Sequence, residues 1–204
     1  MAQVFVKICG VTRVEDAECA IALGAEMIGL NFYPPSPRCL SLDHAREIRR
    51  AIGARAIVVG VFVNAGRDYI EERRRELDLD MIQFHGDEDE SALSGWPVKV
   101  IRAFRLWADA RDAALPVTRA DYTLLDTFHP ELYGGSGHAR PLTGLERLDL
   151  SRVFISGGLT PANVGASAAL RPYAVDVASG VESAPGIKDH GKLRSFIANA
   201  KSPR

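Results

Sequence analysis

Two rhythms alternate along this chain. Short apolar runs, in which every second side chain shares a face, give way to stretches with apolar residues three or four apart. "VFVKICG" (4–10) predicts a strand, and "VEDAECAIALG" (14–24) a helix stopped by Gly24. "EMIGLNF" (26–32) is a strand, followed by a helix over 41–53 with Ser41 as its cap and Gly53 as its stop. "AIVVGVFV" (56–63) leads into a charged helix from Arg67 to Leu77, and "MIQFHG" (81–86) into an acidic helix start at 87–93. "VKVIRAF" (98–104) precedes a helix over 107–115, and "YTLLDT" (122–127) a glycine-containing loop and a short helix near 143–149. "RVFISGG" (152–158) precedes a helix that Thr160 would cap, with Pro161 at its first position. "YAVDVASG" (173–180) precedes the last helix, about 189–200.

Strands that alternate with helices imply βαβ units and a parallel sheet. Eight such units without a linker or a shift in composition predict one domain over residues 1–204, an α/β fold of the (β/α)8 TIM-barrel type. The length of 204 residues sits at the compact end for that fold, near its lower limit of about 200. An open doubly wound sheet is the competing arrangement, but no Gly-x-Gly-x-x-Gly opens a helix after the first strand.

Composition narrows the partners. A net charge of -1 and 25% charged residues argue against a nucleic-acid or anionic-membrane partner held by bulk charge. The basic run "ERRRE" (72–76) is flanked by acids and reads as a solvated helix face. No stretch approaches the ~18 apolar residues of a membrane span, and the first apolar run lacks the basic lead-in of a signal peptide. Cys9, Cys19 and Cys39 form no framework and no Cys-x-x-Cys pattern, so reduced thiols of a cytoplasmic protein are expected, without a metal.

In such a barrel the strand ends that face the βα loops build the site. The polar residues within the strands gather there: Lys7 and Cys9, Gln83 and His85, Arg102, Asp126 and Asp176. Each also has a plain structural reading. Cys9 can be a small buried hydrophobe, Asp126 a turn cap and His85 a satisfied core imidazole. Lys7 and Asp176 belong to strands that become neighbours when the barrel closes, so mutual neutralisation is the favoured reading for both, with Asp176 also free to brace the following loop. Cys19 and Cys39 carry no expectation beyond packing. Taken together, several ionisable groups at one mouth are costly unless used or paired. A thiol and a carboxyl on opposite sides can serve as base and acid. "ISGGLTPANV" offers Gly157, Gly158 and a helix start as an anion site, with Ser179 and Gly180 of "ASGVE" beside it, where barrels frequently hold phosphate. "YGGSGH" (133–138) is expected to cover the site.

"VKICGVT", "FYPPSPR", "GVFVN", "QFHGDE", "LLDT", "YGGSG", "ISGGLTPANV" and "VDVASGVE…PGIKD" stand in an order that resembles the phosphoribosylanthranilate isomerase family of tryptophan biosynthesis. The likeness runs from residue 6 to about 200. It implies a cofactor-free Amadori rearrangement of a small phosphosugar substrate by a monomer or homodimer. It makes Cys9 the general base, Asp126 the general acid and Arg38 the partner of the anthranilate carboxylate. Gly157, Gly158, Ser179 and Gly180 would hold the phosphate, and Gln83, His85 and Asp176 complete the substrate-binding candidates. Lys7, one step below Cys9, would supply a positive field to the thiol. The chain departs from the family at "HARPL", where His138 replaces a lysine and no Trp follows, so closure of the sixth loop is the affected property. The sister isomerase of histidine biosynthesis fits less well, because its aspartates at strands one and five are here Cys9 and Arg102. A non-catalytic phosphosugar-binding barrel would have no need to keep both Cys9 and Asp126.

Overall fold

The computed structural model describes residues 3–105, 115–126 and 145–202. The helix expected over 107–115 (save its last residue), the "YGGSGH" loop and the departure at His138 lie outside them. Eight parallel strands form a closed barrel: β1 (Phe5–Cys9), β2 (Met27–Asn31), β3 (Ile57–Phe62), β4 (Met81–Phe84), β5 (Lys99–Arg105), β6 (Tyr122–Asp126), β7 (Val153–Ser156) and β8 (Ala174–Val177). Order in space follows order in sequence, and β8 pairs with β1 in register Lys7 to Asp176. The expected barrel is therefore the fold, and the doubly wound sheet is excluded.

Parity divides each strand. Met27, Val59, Met81, Ile101, Ala103, Leu124, Phe154 and Ala174 form one cluster inside the barrel. Their neighbours in sequence, such as Ile28, Val58, Ile82 and Val175, join a second cluster beneath the helices. Burying each large aliphatic or aromatic side chain contributes about 1.5–3 kcal/mol, so the two layers together hold the sheet closed. The same parity sends Phe5, Lys7 and Cys9 inward from β1, and places Arg102 on the outer side of β5.

The helices follow their end signals. α1 (Val14–Ala22) runs out just before Gly24, whose φ of +101° suits a residue without Cβ. α2 (Leu42–Ile52) starts where the Ser41 hydroxyl accepts from His44 N–H, and stops at Gly53 as expected. α3 (Arg67–Glu76), α4 (Val164–Ala169) and α5 (His190–Lys201) complete the α-helices among the described residues. After β4 the helix is a single 3-10 turn, Glu90–Leu93, because Gly95 and Pro97 leave no room for a longer one. Near 143–149 only a 3-10 turn, Leu145–Arg147, is described. α4 begins later than predicted. Thr160 is not its side-chain cap: Asn163 takes the Thr160 N–H at 2.7 Å and donates to Gly158 O at 3.0 Å, a local closure that competes with the helix start. A hairpin not foreseen, β9 (Glu182–Ala184) with β10 (Ile187–Lys188), follows β8.

At the end opposite the βα loops, carboxylates close the strand starts. Glu26 accepts from Val6 N at 2.9 Å, Asp80 from Val58 N at 2.8 Å and Asp121 from Val100 N at 2.9 Å. Each stands just before an even-numbered strand and satisfies a backbone donor of the odd strand before it.

Candidate active site

Cys9 ends β1 and lies in register with Gly29 of β2. A Cβ at position 29 would stand 2.9 Å from the thiol sulfur, so only glycine leaves room for this side chain. One inward step below, Lys7 is fully buried. Its ammonium donates to Asp176 Oδ1 and to Gln83 Oε1, both at 2.9 Å. Burial alone would push this ammonium down, but Asp176 and the Cys9 sulfur outweigh it and hold it above the ordinary lysine value. Asp176 Oδ2 accepts from Ser156 Oγ at 3.2 Å. The mutual neutralisation of Lys7 and Asp176 is thus what the geometry shows.

The Cys9 thiol borders the mouth in a crowded setting, and burial pushes it above the ordinary thiol value. Lys7 and Lys188 pull it down and Asp176 pushes it up, without reversing the direction. The positive field expected from Lys7 is present, but burial exceeds it.

Three strands from β1 around the barrel, Asp126 ends β6 in register with Ser156 of β7. Gln83 Nε2 meets His85 Nδ1 at 2.8 Å, and His85 Nε2 stands 3.6 Å from Asp126 Oδ2. The last separation is too long for a hydrogen bond and short enough to become one with a small rotation of either side chain. Asp126 Oδ1 is buried without a hydrogen-bond partner among the described residues. An orphaned carboxylate oxygen is costly unless chemistry uses it. Lys7, Gln83 and His85 therefore form one polar line through the barrel between the thiol side and the carboxyl side.

Arg38 brings in residues that the sequence reading missed. Its Nε and Nη2 donate to the two Glu182 oxygens at 2.8 and 2.6 Å, a bidentate pair. Its aliphatic stem covers Gly10, where a Cβ would come within 2.5 Å of Arg38 Cδ. Glu182 also accepts from the buried Lys188 at 2.9 Å, and Lys188 Nζ donates to the carbonyls of Cys9 at 2.6 Å and Ala178 at 3.2 Å. Asp16 holds the Lys188 N–H at 3.0 Å and His190 at 2.8 Å. The hairpin thus ties the strand bearing the thiol, the loop after β8 and the arginine together. Arg102 does not join the mouth: it points outward to Glu88 at 2.5 Å. Strand parity, set by Ile101 and Ala103 inside, overrides its nearness to the strand end.

Gly157 and Gly158 adopt φ of +88° and +61°, backbone that most side chains refuse. Gly180 packs on the Leu159 carbonyl so closely that a Cβ would stand 1.8 Å from its oxygen. The loops after β7 and β8 therefore touch, with Ser179 exposed on the short 3-10 turn Ser179–Val181. The expected helix start is set back at Val164, so the glycine backbone, rather than a helix end at Thr160, is the anion-binding candidate.

A closed eight-stranded parallel barrel, with a thiol and an orphaned carboxyl across one mouth and two glycine turns beside them, belongs to the class of TIM-barrel enzymes acting on small molecules. A family model, "N-(5'phosphoribosyl)anthranilate (PRA) isomerase", matches residues 6–199. The N-(5'-phosphoribosyl)anthranilate isomerase of Pseudomonas fluorescens (strain Pf0-1) is 43% identical over 200 residues, covering 97% of this chain and 98% of its own. The phosphoribosyl anthranilate isomerase structure from Thermus thermophilus superposes with a TM-score of 0.82 at 39% identity, covering 96% of this chain and 98% of that one. A phosphoribosyl anthranilate isomerase in complex with reduced 1-(o-carboxyphenylamino)-1-deoxyribulose 5-phosphate gives 0.79 at 34% identity, covering 98% and 99%. The chain belongs to the N-(5'-phosphoribosyl)anthranilate isomerase family. No helix among the described residues is long and apolar enough to cross a membrane.

Proposed function

We propose that this isomerase of tryptophan biosynthesis converts N-(5'-phosphoribosyl)anthranilate to 1-(2-carboxyphenylamino)-1-deoxyribulose 5-phosphate by acid–base chemistry of Asp126 and Cys9. One observation carries this mechanism. Cys9 and Asp126 end strands three apart at one mouth of the barrel, and Lys7, Gln83 and His85 run through the interior from beneath the thiol to within 3.6 Å of Asp126 Oδ2.

The steps follow from the groups present. Asp126 gives its proton to the ribose ring oxygen, the C1–O bond breaks, and the anilino nitrogen's pair forms a cationic Schiff base. That cation acidifies the C2 proton. Cys9 as thiolate removes it, and the C–H electron pair becomes the C1–C2 double bond of an enolamine, which tautomerises to the aminoketose. A thiol near pKa 8.5 is a few per cent thiolate at pH 7, and burial reduces that fraction, so the developing positive charge on the substrate assists deprotonation. Arg38 spends its Nε–Nη2 edge on Glu182 and keeps Nη1 for the anthranilate carboxylate. The backbone of Gly157, Gly158 and Gly180 and the Ser179 hydroxyl receive the phosphate. The reading is supported by the relative that holds a reduced carboxyphenylamino deoxyribulose phosphate.

The test is an assay with N-(5'-phosphoribosyl)anthranilate generated in situ, following loss of its fluorescence, beside Cys9→Ala and Asp126→Asn. Each variant is expected to lose about 100- to 10,000-fold in kcat, the usual share of a positioned acid or base, while still binding phosphate. Undiminished turnover in Cys9→Ala would require another base. No turnover by the unaltered chain, with phosphate still bound, would make it a binding barrel.

A further inference from the structure

Lys7, Gln83 and His85 are more than a row of polar contacts, because each fixes the hydrogen-bond sense of the next. An ammonium can only donate, so the Gln83 amide must turn its oxygen toward Lys7 Nζ, 2.9 Å away. The amide nitrogen then faces His85 Nδ1 at 2.8 Å and can only donate to it. Nδ1 must therefore offer its lone pair. A proton there would set two donors against each other at that distance. The ring's single proton consequently resides on Nε2, the nitrogen 3.6 Å from Asp126 Oδ2.

We propose that buried Lys7, acting through the Gln83 amide, dictates the tautomer of His85, so that His85 is a neutral positioning donor for Asp126 Oδ2. The proposal rests on Asp126 being the acid. The two carboxyl oxygens have different surroundings. Oδ2 is the one that His85 Nε2–H can hold. Oδ1 is buried and has no hydrogen-bond partner among the described residues. On transfer the carboxyl O–H bond breaks, an O–H bond forms at the ribose ring oxygen, and the electron pair stays on the carboxylate. The charge born there strengthens the Nε2–H···Oδ2 contact, which is therefore worth more after proton transfer than before. That difference lowers the barrier rather than merely improving binding. The Lys7 end of the line cannot rotate away, since Asp176 Oδ1 holds the same ammonium at 2.9 Å.

The decisive measurement is a long-range proton–nitrogen correlation spectrum of 15N-labelled protein at neutral pH, with the His85 signals identified by their loss in His85→Leu. The unaltered protein is expected to show a bare Nδ1 and a protonated Nε2. Gln83→Glu, whose carboxylate accepts from Nδ1, should move the proton to Nδ1 and lower kcat about ten-fold or more while KM stays within about two-fold. Nδ1–H or imidazolium in the unaltered protein would overturn the proposal without needing any variant to fold. Inversion of the tautomer in Gln83→Glu with kcat unchanged would overturn it too. Asp126→Asn, measured alongside, separates the two readings: retained turnover there removes the acid assignment, whereas a wrong tautomer in an enzyme that depends on Asp126 removes only the relay.

Discussion

Arg38 and Glu182 lie 144 residues apart and meet edge to edge, Nε and Nη2 of one on the two carboxylate oxygens of the other at 2.8 and 2.6 Å. The pair fixes the plane of the guanidinium. A long side chain that would otherwise sample many rotamers is aimed before any substrate arrives, and the ordering cost is met by the fold.

Glu182→Gln loosens that aim and removes the charge. We expect KM for the anthranilate substrate to rise about ten-fold, the worth of a charge-assisted bond, with kcat within about two-fold. Steady-state kinetics well below the unfolding temperature check this, and a kcat loss with unchanged KM would contradict it.

Acid stability should report on the same carboxylate. Burial opposes ionisation of Glu182, but the bonds from Arg38 and Lys188 outweigh it and hold its carboxyl below the ordinary value of 4.5. Stability from this group is therefore fully present above its unfolded value and lost as pH falls through its folded one. Urea unfolding from about pH 6 to about pH 3 should give a shallower loss in Glu182→Gln than in the unaltered protein. Asp121 and Asp189, also held low, remain in both proteins and cancel in the comparison.

Lys7→Met should raise the titration midpoint of Cys9, because the ammonium pulls the thiol down against burial. Removing one partner of a buried pair also leaves Asp176 uncompensated, at a cost of about 3–5 kcal/mol. Lys7→Met with Asp176→Asn relieves that strain, and the alkylation rate of Cys9 against pH is the readout in both. An unmoved midpoint in Lys7→Met would remove the ammonium as a tuner of the thiol.

Gly180→Ala should separate the two phosphate-side loops. A methyl placed 1.8 Å from the Leu159 oxygen cannot stay there, so backbone must move, at a cost of about 1–3 kcal/mol. Inorganic phosphate, read by calorimetry, should bind at least about ten-fold more weakly, matching a loss of about 1.4 kcal/mol.

The barrel was legible because its two periods are local. Alternation in "VFVKICG" and "YTLLDT" marks strands, and Ser41 and Gly53 mark helix ends through bonds to residues a few places away. Lys7 and Asp176 were paired from sequence because closure makes their strands neighbours. Arg102 stands near a strand end yet not at the mouth, because Ile101 and Ala103 inside the barrel force it out. Thr160 does not cap α4, because its N–H is taken by Asn163 in a turn before the helix, a choice between two local bonds that the sequence leaves even. Glu182, Lys188 and Asp16 were invisible for a different reason. The hairpin that carries Glu182 and Lys188 is short and has no period, Asp16 stands on α1, and each meets partners that only the closed barrel brings near.

The seam between β1 and β8 bears on how the molecule is made. Lys7 is made before its counter-charge, Asp176, which arrives only with the eighth strand. Until then any compact intermediate that buries the first strand must shut an ammonium away from water with no counter-charge, only the Gln83 oxygen, to meet it. A nascent or truncated chain lacking the final strand is thereby held back from settling into a false barrel. A single ion pair at the seam makes burial of the first strand depend on the arrival of the eighth.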